Sequence, residues 1–302
     1  MRAALEVLWQ VLAPIFLTAG AGFLLARKLG VKPQGLSRAA FYIFTPCLLF
    51  DKFSTTALSP TELGRIALFA VLVIAGSGFV AWAVSTVAGY GRPATMALIL
   101  CVIAGNTGNY GLPANQFAFG EKALEPAVIY FAISTLILST VGVYLVARGQ
   151  RQARAALRNV VTVPLVYAGL AGLLVWALHI KVPVPIERAT SLAGQAAVPV
   201  MLTLLGIQLA GVRLRSDIGR IGLASAIKLV VSPLLGVLFA QFLGLGGIVR
   251  QAAILESAMP TAVMATVLTT EYEAAPEFTA GTVLVSTLAS FVTVSFVLAF
   301  LR

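Results

Sequence analysis

A polar octapeptide with the letters NTGNYGLP, from Asn106 to Pro113, is the part of this sequence best equipped to bind a ligand. It interrupts an apolar run that extends from about residue 94 to residue 119. Its two glycines weaken a helix, and its proline lacks a backbone donor, so regular helix is expected to stop in this stretch. Its two asparagines both donate and accept hydrogen bonds. The segment therefore predicts a helix break that offers polar groups.

The composition places this break inside a membrane. Of the 302 residues, 59% are hydrophobic and 11% are charged, against about 25% charged in an average soluble protein. So few charged side chains do not supply the surface of a soluble domain of this size. Irregular backbone in a bilayer is tolerated only inside protein or beside a wet cavity. The sequence therefore predicts an all-α polytopic membrane protein of the cell membrane, with its function at the break.

Apolar segments long enough to cross a bilayer predict ten spans. In chain order these are Leu8–Ala26, Arg38–Phe53, Gly64–Ala88, Ala94–Phe119, Pro126–Ala147, Val160–Ile180, Arg188–Ala210, Ile218–Leu243, Val249–Thr270 and Phe278–Leu301.

The basic residues predict the orientation of these spans. The loops after the odd-numbered spans carry twelve of the 21 Lys and Arg residues, and the opposite side carries eight, with Lys228 inside a span. Basic loops face the cytoplasm, so both termini are expected outside and the loop 148–158 inside. The net charge of +10 is explained in this way, without nucleic acid as a partner.

Matched prolines indicate two related halves. The pairs are Pro14 with Pro164, Pro46 with Pro199 and Pro113 with Pro260, at offsets of 150, 153 and 147 residues. We therefore predict a five-helix repeat over residues 1–150 and a second over residues 151–302. Because five is odd, the second repeat enters the membrane inverted.

A second break is expected at the segment 256–262, the counterpart of the octapeptide in span 9. Proline is favoured in the first turn of a helix, so the second half-helices are expected to begin at Leu112 or Pro113 and at Pro260 or Thr261. The positive ends of two opposed half-helices would meet there and suit a carboxylate, each contributing about 0.3 to 1 kcal/mol. The alternative that both breaks only kink helices for packing remains open. The candidate substrate-binding residues are Asn106, Thr107, Gly108, Asn109, Tyr110, Gly111, Pro113, Met259, Pro260 and Thr261.

Two ionisable residues lie deep in predicted spans. Glu256 is a candidate for proton or sodium coupling, or for an ion pair with Lys228. Lys228 is a candidate for balancing the charge of a substrate, or extends to the membrane surface. A candidate cation site combines Asn109, Ser134, Thr135 and Glu256.

No catalytic residue, metal site or cofactor is expected. His179 is the single histidine, so no pair of histidines exists for zinc. Asp51 and Asp217 fall at the ends of spans, and Cys47 and Cys101 are expected to be buried thiols.

The sequence resembles the auxin efflux carrier family in its bacterial form over essentially the whole chain. The resemblance rests on the octapeptide, on Met259-Pro260-Thr261-Ala262 with the later Glu271-Tyr272, and on the serine- and threonine-rich last span. It implies a scaffold of spans 1, 2, 6 and 7, a moving transport domain of spans 3–5 and 8–10, and crossed helices 4 and 9. It also implies organic-anion substrates such as malonate, and a homodimer.

The predicted function is therefore secondary transport of a small organic carboxylate by alternating access, of the elevator type by resemblance. A sodium-coupled symporter of the bile acid carrier type, whose fold looks similar, is one alternative. The other is a membrane receptor that binds a ligand without translocating it.

Overall fold

The computed structural model describes residues 8–146, 163–212 and 218–301. In these ranges the regular structure consists of helices and one isolated β-bridge, joined by short turns and loops. The loop 148–158, the basic residues Arg213 and Arg215, and the boundary between the two predicted repeats lie outside the described residues. The helices, with the π and 3-10 turns that continue them, are α1 (Leu8–Leu12, Ala13–Leu29), α2 (Pro33–Ala39, Ala40–Phe44, Thr45–Ser54), α3 (Pro60–Val87), α4a (Arg92–Ile103), α4b (Thr107–Gly111, Leu112–Phe119), α5 (Glu121–Ala123, Leu124–Ile137, Leu138–Gly142, Val143–Val146), α6 (Pro164–Ala177), α7 (Val184–Ala210), α8 (Ile218–Ala226, Ile227–Val231, Ser232–Phe242), α9a (Gly247–Ser257), α9b (Val263–Glu271) and α10 (Pro276–Leu301).

Six helical stretches within the described ranges are long and apolar enough to cross a membrane; they are Trp9–Leu29, Pro60–Val87, Glu121–Val146, Val184–Ala210, Ile218–Phe242 and Pro276–Leu301. Helices α4a and α6 are apolar but shorter, with 12 and 14 residues. These findings confirm the all-helical, polytopic class. Helical segments overlap each of the ten predicted spans, while the inverted ten-span arrangement stays a prediction.

The start of α3 shows how the sequence sets a helix boundary. Ser59 lies in extended backbone before Pro60, and its hydroxyl accepts a hydrogen bond from the Glu62 N–H at 3.3 Å. The Glu62 carboxylate accepts in return from the Ser59 N–H at 2.9 Å. This capping box satisfies donors that the first turn leaves free, and the fixed φ of proline suits the first helical position.

Small residues bring helices α1 and α7 into direct backbone contact. A Cβ atom added to Gly206 would lie 1.7 Å from the carbonyl oxygen of Ala19, and one added to Gly22 would lie 2.1 Å from the carbonyl oxygen of Thr203. Because lipid gives no hydrophobic drive for helices to associate, such close approach is how membrane helices gain packing energy.

Helices α2 and α6 join α1 and α7 in the same way. A Cβ atom on Gly172 of α6 would lie 3.0 Å from the carbonyl oxygen of Phe50, and one on Gly194 of α7 would lie 3.1 Å from Leu48 Cα. Helices α1, α2, α6 and α7 are called the four-helix group below. The other helices pack mainly among themselves, α3 against α4a, α5 and α8, and α10 against α8 and α9b; they are called the six-helix group.

Gly206→Ala is expected to destabilise the protein by about 1 to 3 kcal/mol, because the added methyl group overlaps the backbone of α1. Gly20→Ala is the matched control, since a Cβ atom at Gly20 meets nothing within 4 Å. Thermal unfolding of the purified variants in detergent checks both. A Gly206→Ala melting temperature equal to that of the control would contradict the close contact.

Candidate functional site

Two helices are interrupted, the first between α4a and α4b and the second between α9a and α9b, and the two interruptions meet. Helix α4a ends at Ile103 and α9a ends at Ser257, and the extended segments that follow form an antiparallel bridge between Gly105 and Thr261. The Asn106 N–H donates to the Pro260 carbonyl at 2.7 Å. The Ala262 N–H donates to the Ala104 carbonyl, also at 2.7 Å. Each break therefore satisfies the backbone groups that the other leaves without a helical partner.

Side chains of the six-helix group hold the crossing in place. The Thr261 N–H donates to Ser286 Oγ of α10 at 3.1 Å, and the Thr261 hydroxyl donates to the Cys101 carbonyl at 2.9 Å. The hydroxyl of the fully buried Tyr110 accepts from Ser290 at 3.3 Å. These groups are directed into the protein and stabilise the irregular backbone.

Of the two helices that follow the breaks, one begins where the sequence predicts and the other begins later. Helix α9b begins at Val263, because Pro260 and Thr261 are part of the extended bridge. Regular α-helix in α4b begins at Leu112 as predicted, but a π turn from Thr107 leads into it. Proline at 113 is tolerated there since it lies early in the helix, where few N–H groups have a partner.

The first turns of α4b and α9b contain backbone N–H groups without an acceptor among the described residues, and these residues lie around one cavity. Within the described part of the chain, no acceptor is found for the N–H groups of Thr107, Gly108 and Asn109, or for those of Val263 and Met264. All five residues line the same cavity. Two helix N-termini, each with a partial positive charge, therefore open onto a shared space.

This cavity has a volume of about 390 Å³ and lies between the two helix groups, within the range of ligand-binding pockets. Thr107 and Ser134 share a hydrogen bond of 2.9 Å on its wall. The Asn109 amide donates to Gln208 of α7 at 3.4 Å, which joins the six-helix group to the four-helix group. The four-helix group, with the residue before α6, supplies Ser37, Ala40, Phe41, Thr45, Val163, Leu165, Met201, Leu204 and Gln208. The lining residues include no charged side chain.

The ten candidate binding residues divide into two sets. Asn106, Thr107, Gly108 and Asn109 line the cavity, as do Ser134 and Thr135 of the candidate cation site. The remaining six do not line it and pack behind the crossing; they are Tyr110, Gly111, Pro113, Met259, Pro260 and Thr261.

Several lining residues were absent from the predicted site. Val263 and Met264 were missed because the second half-helix was expected to begin two or three residues earlier. Ser37 and Thr45 lie on α2; Thr45 is a polar residue of the short second span, while Ser37 lies just before the predicted start of that span.

The two membrane charges lie near the crossing but outside the cavity lining. The Glu256 carboxylate accepts a hydrogen bond from the Asn115 amide at 2.9 Å and packs against Gly111. A Cβ atom on Gly105 would lie 3.2 Å from Lys228 Nζ, so this ammonium group sits just behind a cavity-lining residue. Glu256 and Lys228, which both lie in the described part of the chain, do not form an ion pair with each other. The structure thus separates Glu256 from Asn109, Ser134 and Thr135.

Comparison with known proteins identifies the family. Residues 7–298 match the family described as "Membrane transport protein". The chain belongs to this family. The match confirms the resemblance to the auxin efflux carriers.

Relatives of this membrane transport protein support the same assignment. A "Putative malonate transporter" of Rhizobium meliloti is 29% identical over 308 positions, covering 96% of this chain and 94% of the relative. An "Uncharacterized transporter" of Methanothermobacter thermautotrophicus is 26% identical over 263 positions, covering 85% of each chain. The protein is therefore a multi-pass membrane transporter and not an enzyme.

Ser286→Ala tests the support of the crossing. It leaves the buried Thr261 N–H without its acceptor, which is expected to cost about 1 to 3 kcal/mol. Ser225→Ala is the matched control, because the buried Ser225 hydroxyl has no hydrogen-bond partner within the described ranges. Thermal unfolding should show a lower melting temperature for Ser286→Ala alone. Equal stability of the two variants would mean that the Thr261 N–H finds another acceptor.

Proposed function

We propose that this protein is a secondary transporter that moves a small organic carboxylate by alternating access of the elevator type. Helices α1, α2, α6 and α7 form a scaffold, and α3–α5 with α8–α10 form the transport domain that moves. The ten spans are two inverted five-helix repeats, residues 1–150 and 151–302, with both termini outside and the loop 148–158 in the cytoplasm. A homodimer formed through the scaffold belongs to the same proposal.

One observation carries the proposal: the free N–H groups of two half-helices line one cavity between the two helix groups. Such N–H groups bind an anion directly, and each helix end contributes about 0.3 to 1 kcal/mol, rising to ~2 kcal/mol where the site is partly buried. The Asn106 and Asn109 amides and the Thr107 hydroxyl add further polar partners. An anion is favoured over a cation, because these backbone groups are all donors.

The position of the cavity supports translocation rather than storage of the ligand. One wall belongs to the four-helix group, whose backbones are in contact at Gly206 and Gly22. The opposite wall belongs to the six-helix group and contains the crossing. Across this boundary Asn109 and Gln208 are joined by a long hydrogen bond of 3.4 Å. Movement of one group past the other would break only weak polar contact there and would carry the bound anion with the crossing.

The membrane potential sets the direction in which an uncoupled carrier transports an anion. An elementary charge that crosses the full membrane potential gains about 2.3 kcal/mol per 100 mV, so an inside-negative potential alone drives export of an anion. Import requires a coupled cation. Sodium coupling is the alternative mechanism for the same fold, and ligand binding without translocation is the alternative function.

Counterflow of a labelled carboxylate into proteoliposomes, with sodium absent, tests the proposal. Exchange of label against unlabelled carboxylate inside the vesicles is expected. Exchange that requires sodium would favour the symporter of the bile acid carrier type. Binding of the carboxylate without any exchange would favour a receptor.

Asn109→Ala should reduce counterflow to the level of empty vesicles, because it removes the cavity amide that lies at the boundary of both helix groups. Gln195→Ala is the control, since this exposed carboxamide on α7 does not line the cavity. Thermal unfolding should be unchanged in both variants. Counterflow retained by Asn109→Ala would move the substrate site elsewhere.

A monocarboxylate should bind more tightly than a dicarboxylate of similar size. The name of one relative specifies malonate, a dicarboxylate. Among the described residues, however, no charged side chain lines this cavity, and Lys228 is the one cationic side chain found beside the crossing. A second carboxylate group would be desolvated without a partner charge. A thermal-shift comparison of matched mono- and dicarboxylates checks this, because selective binding raises apparent stability. A larger shift with malonate than with any monocarboxylate would contradict the expectation.

A further inference from the structure

Glu256 and Asn115 form a buried polar pair that the cavity does not reach. Both side chains are 0% exposed, and neither lines the cavity. The Asn115 amide donates to Glu256 Oε1 at 2.9 Å and to the Gly111 carbonyl at 3.0 Å. A Cβ atom on Gly111 would lie 2.3 Å from Glu256 Oε2, so the carboxyl group rests directly on the backbone of α4b.

This pair lacks a hydrogen-bond donor. Glu256 Oε2 and Asn115 Oδ1 are both buried, and neither has a partner within the described parts of the chain. Both atoms are acceptors when Glu256 is ionised, so the missing component is a donor or a cation. An ionised carboxylate with one neutral hydrogen bond and no adjacent cation carries a large desolvation penalty. A proton on Oε2 removes that charge and supplies an O–H donor.

No charged group of the described residues forms an ion pair with Glu256. Two titratable groups of the packed helices act on it electrostatically, Lys228 of α8 and the buried Tyr130 of α5. Neither makes an ion pair or hydrogen bond with the carboxylate. The other charged side chains of the helices packed against α9a lie at helix ends; within the described ranges they are Glu62 and Arg65 of α3, Glu121, Lys122 and Glu125 of α5, Arg220 of α8, Arg250 of α9a, and Glu277 of α10.

We propose that Glu256, with Asn115, is a proton-binding site, that it holds a proton in this conformation, and that the proton binds together with the transported anion. The coupling rests on the proposed anion transport, while the proton site does not. Lys228 Nζ lies beside Gly105 at the edge of the cavity. Ionised Glu256 offsets this positive charge, whereas protonated Glu256 leaves it free to attract an anion. By linkage, the anion in turn favours the protonated form.

The geometry favours a proton over a divalent metal ion. Hard divalent cations take six to eight oxygen ligands, and the contacts of this pair offer the Glu256 carboxylate, Asn115 Oδ1 and the Gly111 carbonyl. The hydroxyls that a cation site would need, those of Ser134 and Thr135, line the cavity instead. A proton needs only the single free oxygen, Oε2.

Infrared spectroscopy of the purified protein without ligand tests the proton site. At neutral pH the wild-type protein should show the C=O stretch of a protonated carboxyl group. Glu256→Gln should remove this band, whereas Glu187→Gln, at an exposed position of α7, should retain it. Asn115→Leu should shift the band, because it removes the hydrogen bond to Oε1, and it provides the assignment if Glu256→Gln does not fold. Absence of the band, or its loss when sodium replaces potassium at constant pH, would overturn the site.

Anion binding tests the coupling. Between about pH 6 and pH 9, where a simple carboxylate such as benzoate stays ionised, wild-type affinity should fall about tenfold per pH unit once Glu256 deprotonates. At pH values that deprotonate Glu256 in the ligand-free protein, binding should take up a proton from a weakly buffered solution. At neutral pH, where Glu256 already holds its proton, binding should take up none. Glu256→Gln should bind with an affinity that does not change with pH and take up no proton, while Glu187→Gln behaves as wild type.

The outcomes separate this inference from the proposed function. Wild-type binding that is independent of pH would overturn the coupling and leave anion transport standing. An infrared band without binding of any carboxylate would overturn the proposed anion transport and the coupling, while the proton site would stand.

Discussion

The need to satisfy backbone hydrogen bonds without water governs this structure. A helix that breaks inside a bilayer exposes N–H and C=O groups, and each unpaired group costs several kcal/mol in hydrocarbon. The chain meets this constraint by breaking two helices at the same place and pairing their extended segments, through Asn106 with Pro260 and Ala262 with Ala104. Neither break is stable alone, because each supplies the acceptor that the other requires.

The pairing also decides which groups remain free. The bridge uses the backbone up to Asn106 on one chain segment and up to Ala262 on the other. The next N–H groups begin helices and have no acceptor, so they are available to a ligand. On the protein side of the crossing, the N–H and hydroxyl groups of Thr261 donate hydrogen bonds to Ser286 and to the Cys101 carbonyl, and the Tyr110 hydroxyl accepts one from Ser290. On the face that lines the cavity, by contrast, the N–H groups that begin both helices have no acceptor in the described part of the chain.

Much of this arrangement follows from sequence patterns that are local. Long apolar runs predicted the helical class, and the octapeptide and Pro260 predicted both breaks. The start of α9b did not follow, because the extended bridge at Thr261 depends on a partner more than 150 residues away. For the same reason, the partner of Glu256 was missed. Asn115 lies seven positions beyond Gly108 along α4b and comes into contact only through the crossing.

The four helices that the resemblance assigns to a scaffold make close backbone contacts with one another. Gly22, Gly172, Gly194 and Gly206 place the backbones of the four-helix group in contact. At the cavity the contact between groups is instead made by side chains, among them the Asn109 to Gln208 bond.

The placement of charge suits a carrier better than a tight binder. A ligand must be held strongly enough to enter and weakly enough to leave, and a desolvated ion pair with a lysine would favour only the first. Here the cavity offers backbone N–H groups, amides and hydroxyls, while Lys228 lies behind Gly105. Its field reaches the cavity across one layer of backbone, without a direct salt bridge that release would have to break. An opposing charge at Glu256, separated from the ligand in the same way, can then weaken or restore that field without entering the cavity.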